Sequence, residues 1–482
     1  MSFRQHLSTT MRGNARNTFP YLGLGFVWAW IYGSFFTRAA FPNAAGISIN
    51  TGTVWVVSAV AVVVAFFAGG PLFAYRLTGH TRLHGYVSAA MVAAGTVIPQ
   101  APLCTACPTT IIALSSGTLT GIGSAALCLL WGRELAALSV DCVESLIPLN
   151  AIVMIVVALV LPLASGTAGV MVVAALPIAS AALLASTAQR EIKGDPSAHG
   201  TNPKRALDSV RQEKRRPADR KAISLIGLLI GITYTIVGTL SASRLQPVMP
   251  GLFDWGTIAG SAIGVVISAA VVRWSFRVDF ELFYRWIVPL LVIASVLLPW
   301  NTELASTVKS ASLQAVDVSV QTLLYVYGIG HARKHRIHPV ELLGILCGAS
   351  QVGVLLGNGC GYAMLRAGSA AGIDASLAIA GISAVAASLL FAFVPSPRTR
   401  SGLGACIEEN SVSASCTRVA AKARLSPREA EVLEYLARGR NQPYICNALF
   451  LSRNTVATHV KHVYQKTNVH SQQELIDLVE RS

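Results

Sequence analysis

The chain has 482 residues, of which 53% are hydrophobic and only 13% are charged. A soluble domain carries about 25% charged residues, so these proportions exclude a chain solvated by water alone and make lipid its main solvent. The formal charge of +15, from 38 Lys and Arg against 23 Asp and Glu, suits contact with nucleic acid, an anionic membrane face, or both.

A membrane-crossing helix needs about 20 apolar residues, so the gaps between charges mark the candidates. One span fits between Arg16 and Arg38, and a second over residues 54–75. The span over residues 19–37 could mimic a signal peptide, but the further spans that follow make it an anchoring first helix. No Asp, Glu, Lys or Arg lies between Arg82 and Arg133, a gap that holds two spans hinged at Pro99 and Pro102. The gap from Glu144 to Arg190 holds two more, hinged at Ser165 and Gly166. Residues 189–221 then carry ten Lys or Arg and five acidic residues, with Pro203 and Pro217 as helix breakers, and read as a basic linker. Six further spans are expected over 222–243, 255–272, 286–302, 310–332, 342–365 and 375–394. The expected fold class is all-α: a twelve-helix polytopic membrane bundle in two halves, residues 1–188 and 222–395, with more chain beyond.

Cytoplasmic loops collect Lys and Arg. With the N-terminus inside, the inner short segments hold twelve such residues, from Arg4 to Arg336, while the outer loops hold Arg38, Arg244, Lys309 and Arg366. The expected location is the cell membrane, multi-pass, with both termini cytoplasmic. Nine cysteines are scattered, and the close pair Cys104-Thr-Ala-Cys107 stands without a second pair or histidines at zinc spacing. No metal and no cofactor are expected.

Twelve spans as six, basic loop and six, with both ends inside, resemble the major facilitator superfamily. The likeness covers roughly residues 15–395. In the stretch GPLFAYRLTGHTR, residues 70–82, Gly70, Leu72, Arg76 and Gly79 echo the loop signature of that family, without its acidic residue.

After Pro395 and Pro397, residues 396–423 read as a flexible linker with a reach of roughly 30 Å. A small helical domain is expected over 424–482. Ser426-Pro-Arg-Glu429 is a capping box with Pro427 at the first helical position. Ala430, Leu433, Leu436 and Ala437 form an apolar stripe that Gly439 terminates. A second helix opens near Pro443, with Ile445, Ala448 and Leu449 inward. Ser452 is placed to cap a third, in which Val456, Val460 and Val463 pin one face. The opposite face presents Asn454, Ala457, Thr458, Lys461 and Gln465, small, polar and basic as major-groove entry requires. Ser471-Gln-Gln-Glu474 opens a fourth helix.

The strings Leu425-Ser-Pro-Arg-Glu429, Leu451-Ser-Arg-Asn-Thr-Val456 and His459-Val-Lys-His462, with Lys466, resemble the LuxR-type helix-turn-helix over about residues 424–480. The resemblance implies base contacts from Ala457, Thr458 and Lys461, and phosphate contacts from Thr455, His459 and Lys466. It also implies dimerisation through the fourth helix. Ala457 stands where lysine is frequent, so that one base contact is either lost or replaced by apolar contact with a thymine methyl. Pro443-Tyr444 and Cys446 stand where Lys-Glu and Ala are common.

Within the expected spans Asp317 is the acidic residue set deepest, with Gln314 and Gln321 on nearly the same helical face. A carboxylate in a membrane is costly and marks a functional site or a partnered charge by default. In the transporter-like fold it would face Trp28, Tyr32 and Tyr234 and could take part in ligand sensing. The alternative is a structural pairing with Arg38 or Lys309. There is no phosphate-binding loop, paired catalytic carboxylate or activated nucleophile, so no enzyme is expected. The partners implied are double-stranded DNA, the lipid bilayer and a small-molecule signal. The function implied is a membrane-bound transcriptional regulator, the alternative being a secondary transporter with a C-terminal regulatory domain.

Overall fold

The structure is a computed structural model. It describes residues 19–35, 37, 51–75, 80–100, 108–138, 140–164, 166–192, 217–241, 254–274, 280–300, 302–334, 337–393, 415–437, 439, 442–449 and 453–480. The chain divides into two compact units, Met1–Phe393 and Val394–Ser482.

Among the described residues unit 1 contains twelve α-helices and no strand. The first half comprises α1 (Gly23–Phe35), α2 (Thr51–Tyr75), α3 (Thr81–Val97), α4 (Thr109–Ala136), α5 (Val140–Val160) and α6 (Gly166–Ile192). The second comprises α7 (Pro217–Ser241), α8 (Trp255–Trp274), α9 (Phe280–Val296), α10 (Glu303–Lys334), α11 (Pro339–Ala370) and α12 (Ser376–Phe393). Among the described residues α2, α4, α5, α6 and α11 contain stretches long and apolar enough to cross a membrane; α7, α8, α9 and α12 hold shorter apolar stretches. Although α10 is 32 residues long, Ser and Thr residues, Lys309, Gln314, Asp317 and Gln321 make it less apolar.

Hydrocarbon offers no hydrogen bonds, so buried polar groups in such a bundle must find partners within it. The backbone N–H of Gly25 on α1 donates to Asn150 Oδ1 on α5 (2.7 Å), and Asn150 Nδ2 donates to Leu146 O (2.9 Å). Ser180 on α6 donates to Gly23 O (2.8 Å) and accepts from the indole of Trp131 on α4 (2.9 Å). Trp30 Nε1 donates to Thr96 Oγ1 on α3 (2.9 Å). In the second half α7 packs along α11 and α8 along α10. The halves meet where α2 and α4 pack on α11 and where α5 packs on α8 and α10. One buried apolar cluster runs through both, including Trp28, Leu127, Trp131, Leu135, Tyr325, Ile329 and Leu343.

Three local expectations change. Pro217 does not break a helix: it opens α7, a position where its missing N–H costs nothing. The basic linker expected to extend to residue 221 is therefore shorter at that end, and α6 extends to Ile192 beyond the expected boundary at residue 188. The tenth helix starts at Glu303 instead of residue 310, because Thr302 Oγ1 accepts the N–H of Ala305 (3.2 Å) and so caps it. Arg38, Pro102, Cys104, Cys107, Ser452 and most of residues 189–221 and 396–423 lie outside the described residues.

In unit 2, residues 415–422 are helical and precede α13 (Pro427–Ala437), α14 (Gln442–Leu449), α15 (Arg453–Thr467) and α16 (Gln472–Glu480). Val432, Leu433, Leu436, Ile445, Val456, Val460, Val463, Leu475 and Val479 close its core, joined by Cys416 and Val419 of the leading helix. The first capping box is reciprocal: Ser426 N donates to Glu429 Oε2 (2.7 Å) and Glu429 N to Ser426 Oγ (3.3 Å). At the second, Glu474 N donates to Ser471 Oγ (3.2 Å), while Glu474 Oε2 accepts from His470 N (2.8 Å). Gly439 has φ +72°, a left-handed conformation that favours glycine, and its N–H donates to Leu436 O (3.0 Å) just past the end of α13.

Candidate nucleic-acid interface and membrane site

Helix α15 is held from one side. Val456 and Val463 are fully buried and Val460 nearly so, at i, i+4 and i+7, against α13 and α14. This fixes the opposite side of α15 outward: Asn454, Thr455, Ala457, Thr458, Lys461 and Gln465 are exposed and His459 is half-buried. Thr458 Oγ1 donates to Asn454 O (2.9 Å), which ties the exposed hydroxyl back to the helix. Arg428 of α13 donates through Nη2 to Leu449 O (2.9 Å), tying the end of α14 to the first helix of the domain. Gln472 Nε2 donates to Leu436 O (3.0 Å) and ties α16 to the same helix.

Lys466, expected at a phosphate, is engaged within the domain. Its ammonium lies 2.6 Å from Glu429 Oε2, and His462 Nδ1 lies 3.4 Å from Glu429 Oε1. The Glu429 side chain is 6% exposed and that of Lys466 41%. The lysine and the Ser426 backbone N–H hold the Glu429 carboxyl down to about 2. Glu429 thus caps α13 and anchors the end of α15 with one carboxylate, a coupling that the helix-cap pattern alone did not reveal. Gln442, at the start of α14, lines one cleft with Ala457, Lys461 and Gln465. Helical periodicity along α15 could not find it, because it belongs to another helix. Tyr444 is exposed and its ring lies 6.1 Å from that of Tyr435.

In unit 1, Tyr234 of α7 donates its hydroxyl proton to Asp317 Oδ1 on α10 (3.0 Å). Tyr234 is buried and Asp317 half-buried, and Gln321, one turn along α10, also interacts with the Tyr234 side chain. Gln314 lies beside Gly260 of α8, and Lys309 is buried two turns before Asp317. Trp28 and Tyr32 are buried on α1; the Trp28 ring meets Tyr325, two turns beyond Asp317, edge-on at 6.3 Å. The structure brings together Asp317, Tyr234 and Gln321. Among the described residues no group of three His, Cys, Asp or Glu is placed to hold a metal ion.

The family model of bacterial regulatory proteins, luxR family, matches residues 423–479. Unit 2 holds a luxR-type DNA-binding domain. Two proteins similar to it are a Pseudomonas aeruginosa protein named as a transcriptional regulator and BvgA of Bordetella pertussis, named for positive regulation of virulence-factor transcription. The first is 46% identical over 57 residues and the second 45% over 58, each alignment covering 12% of this chain and 28% of the relative. The chain thus spans under a third of the length of these relatives.

Upstream of the luxR-type domain the likeness is to transporters. The major facilitator superfamily proton:xylose symporter XylE superposes with a TM-score of 0.52 at 14% identity, covering 78% of this chain and 94% of its own. A partially occluded inward-open form of XylE from E. coli gives the same TM-score at 13% identity, with 79% and 97% covered. A bacterial homologue of the iron transporter ferroportin gives 0.50 at 12% identity, with 77% and 96% covered. Unit 1 therefore has a major-facilitator-like fold, and the apolar helices are those of a multi-pass membrane protein.

Proposed function

We propose that the chain is a membrane-bound transcriptional regulator, in which the transporter-like unit senses a small molecule and the luxR-type domain binds promoter DNA. The observation that carries this reading is the exposed face of α15 in a DNA-binding regulator domain that shares one chain with a multi-pass membrane unit. Thr455, Ala457, Thr458, His459 and Lys461 supply the DNA contacts, with Lys466 once released from Glu429. Base edges are met by the first two turns and phosphates by the flanking residues. Both termini are cytoplasmic, as the distribution of basic loop residues requires. The first membrane half runs to Ile192 and the second from Pro217 to about residue 395, residues 193–216 and 396–414 are the linkers, and residues 415–482 form the DNA-binding domain with its leading helix, which dimerises through its last helix. The chain catalyses no reaction and needs no cofactor.

Asp317, Tyr234, Gln314 and Gln321 form the signal site in this reading. A carboxylate held by a tyrosine from another helix is a two-position element: a ligand that competes for either partner changes the spacing of α7 and α10. A second reading, a secondary transporter with a regulatory DNA-binding domain, is favoured by the fold of unit 1. Two measurements separate them. Gene deletion followed by transcript profiling changes neighbouring or distant promoters under the regulatory reading. Uptake of labelled candidate ligands into vesicles stays at background under it and rises under the second.

A further inference from the structure

The middle of α10 is packed on all sides but one. From Ser312 to Val326 every residue of this helix is buried except Gln314, Asp317 and Gln321, which each keep part of their surface. Their spacing of three and four residues puts them on one face. Tyr234 of α7 and Gly260 of α8 border that face. Hydrocarbon does not account for the surface, since a carboxylate and two amides against lipid would lack partners. The face therefore borders a space within the bundle that packing leaves unfilled.

The hydrogen bonds around that space all run one way. The Tyr234 hydroxyl has one proton and gives it to Asp317 Oδ1 (3.0 Å). The Gln321 side chain bonds the same hydroxyl, which by then can only accept, so Gln321 gives an N–H. What is left over is acceptors: among the described residues the second Asp317 oxygen and the Gln321 carbonyl take no proton from any side chain. The Gln314 amide makes no hydrogen bond among the described residues and can turn either end to the space.

The charge is unbalanced in the same sense. Tyr234 is the side chain that acts on the Asp317 carboxylate, and among the described residues no Lys, Arg or His pairs with it. Lys309, the nearest cation along α10, is two turns away, about 12 Å at 1.5 Å per residue. A carboxylate buried with one neutral partner is costly until a cation joins it. One turn beyond Gln321, Tyr325 meets Trp28 edge-on, with ring centroids 6.3 Å apart. Ring surface thus follows the polar groups within about 6 Å of helix.

We propose that this site takes a protonated amine with an apolar, ring-sized body, the ammonium between Asp317 and the Gln321 carbonyl and the body toward Tyr325 and Trp28. The proposal names the ligand class for the sensing role given to the site above and rests on that role. An ammonium offers donors and no acceptor, the complement of what the side chains leave open. Its ion pair with Asp317 offsets a burial cost that a neutral alcohol leaves standing and an anion increases. Aromatic rings suit both the apolar body and the charge.

The test is binding to the purified full chain in detergent micelles, read as a rise in the thermal unfolding temperature. The probes are benzylamine and phenylbutylamine, the alcohols and carboxylates of the same carbon skeletons, and sodium and potassium chloride. At least one amine is expected to give a saturable rise, with its alcohol and carboxylate weaker by about ten-fold or more. Asp317→Asn is expected to weaken the amine by the same factor and to erase its advantage over the alcohol, while Asp317→Glu keeps that advantage. If Asp317→Asn does not fold, Gln321→Met removes one acceptor, keeps the charge and is expected to weaken the amine several-fold. No saturable rise with either amine, equal rises with the alcohols or the salts, or an undiminished rise in the variants each overturns the proposal. Binding needs neither DNA nor a promoter. Amines that bind but leave every transcript unchanged would sink the sensing role and leave the ligand class standing.

Discussion

Glu429→Gln in the isolated unit 2, residues 394–482, separates the stability of the domain from its grip on DNA. The carboxylate is 6% exposed and takes the Ser426 N–H at 2.7 Å and the Lys466 ammonium at 2.6 Å. Glutamine keeps the shape and one acceptor oxygen but removes the charge. Hydrogen bonds to charged groups contribute about 1.5–3 kcal/mol against about 1 for neutral ones, and Lys466 is open enough to water that its share is discounted. The expected loss is about 1–2 kcal/mol, which in a domain of this size lowers the melting temperature by roughly 5–10 °C. The same change removes the carboxylate that competes with a phosphate for Lys466, so DNA binding tightens and its salt dependence steepens by up to about 0.9 in log–log slope. Thermal unfolding by circular dichroism and fluorescence anisotropy at several salt concentrations read the two effects. A variant as stable as the parent, or one with a shallower salt slope, would refute the assignment of Glu429 as restraint on Lys466. The acid behaviour follows from the same group. Because the carboxyl is held at about 2 against an ordinary 4.5, its contribution is full above pH 4.5 and is lost as pH falls toward 2. Glu429→Gln removes that part of the acid transition.

Lys461→Ala is expected to cost about 1–3 kcal/mol on the preferred site and to relax the preference at one base position; selection from a random DNA pool reads both, and an unchanged preference would move the recognition face elsewhere. Asp317→Asn and Tyr234→Phe each remove one side of the same hydrogen bond, so a reporter dose–response curve is expected to move to higher ligand concentration in both with the protein still in the membrane. An unmoved curve assigns the pair to structure alone. Topology reporters fused after Arg76, after Lys204 and at the C-terminus are expected in the cytoplasm and one at Pro102 outside; an external C-terminus would sink the regulatory reading.

What the sequence determined by itself is what depends on local spacing and on solvent. Charge-free runs locate the apolar helices, since hydrocarbon tolerates few charges over that length. Val456, Val460 and Val463 orient α15, because a 3.6-residue period leaves one face for the core and one for water. Ser426 with Glu429 marks the start of α13 for the same local reason, and Asp317 was legible as a costly charge. Only the tertiary structure decided the pairings between distant segments. The transporter-like resemblance set Asp317 across from Trp28, Tyr32 and Tyr234, and that Tyr234, 83 positions away, is the one that hydrogen-bonds it follows from α7 packing near α10, which no period encodes. That Lys466 is held by Glu429, and that Gln442 joins the face of α15, depends on how three helices cross. The hydrogen bonds from Tyr75 to Glu341 and from Arg333 to Ala136 O are likewise invisible in any one segment, because they form only where the two halves meet.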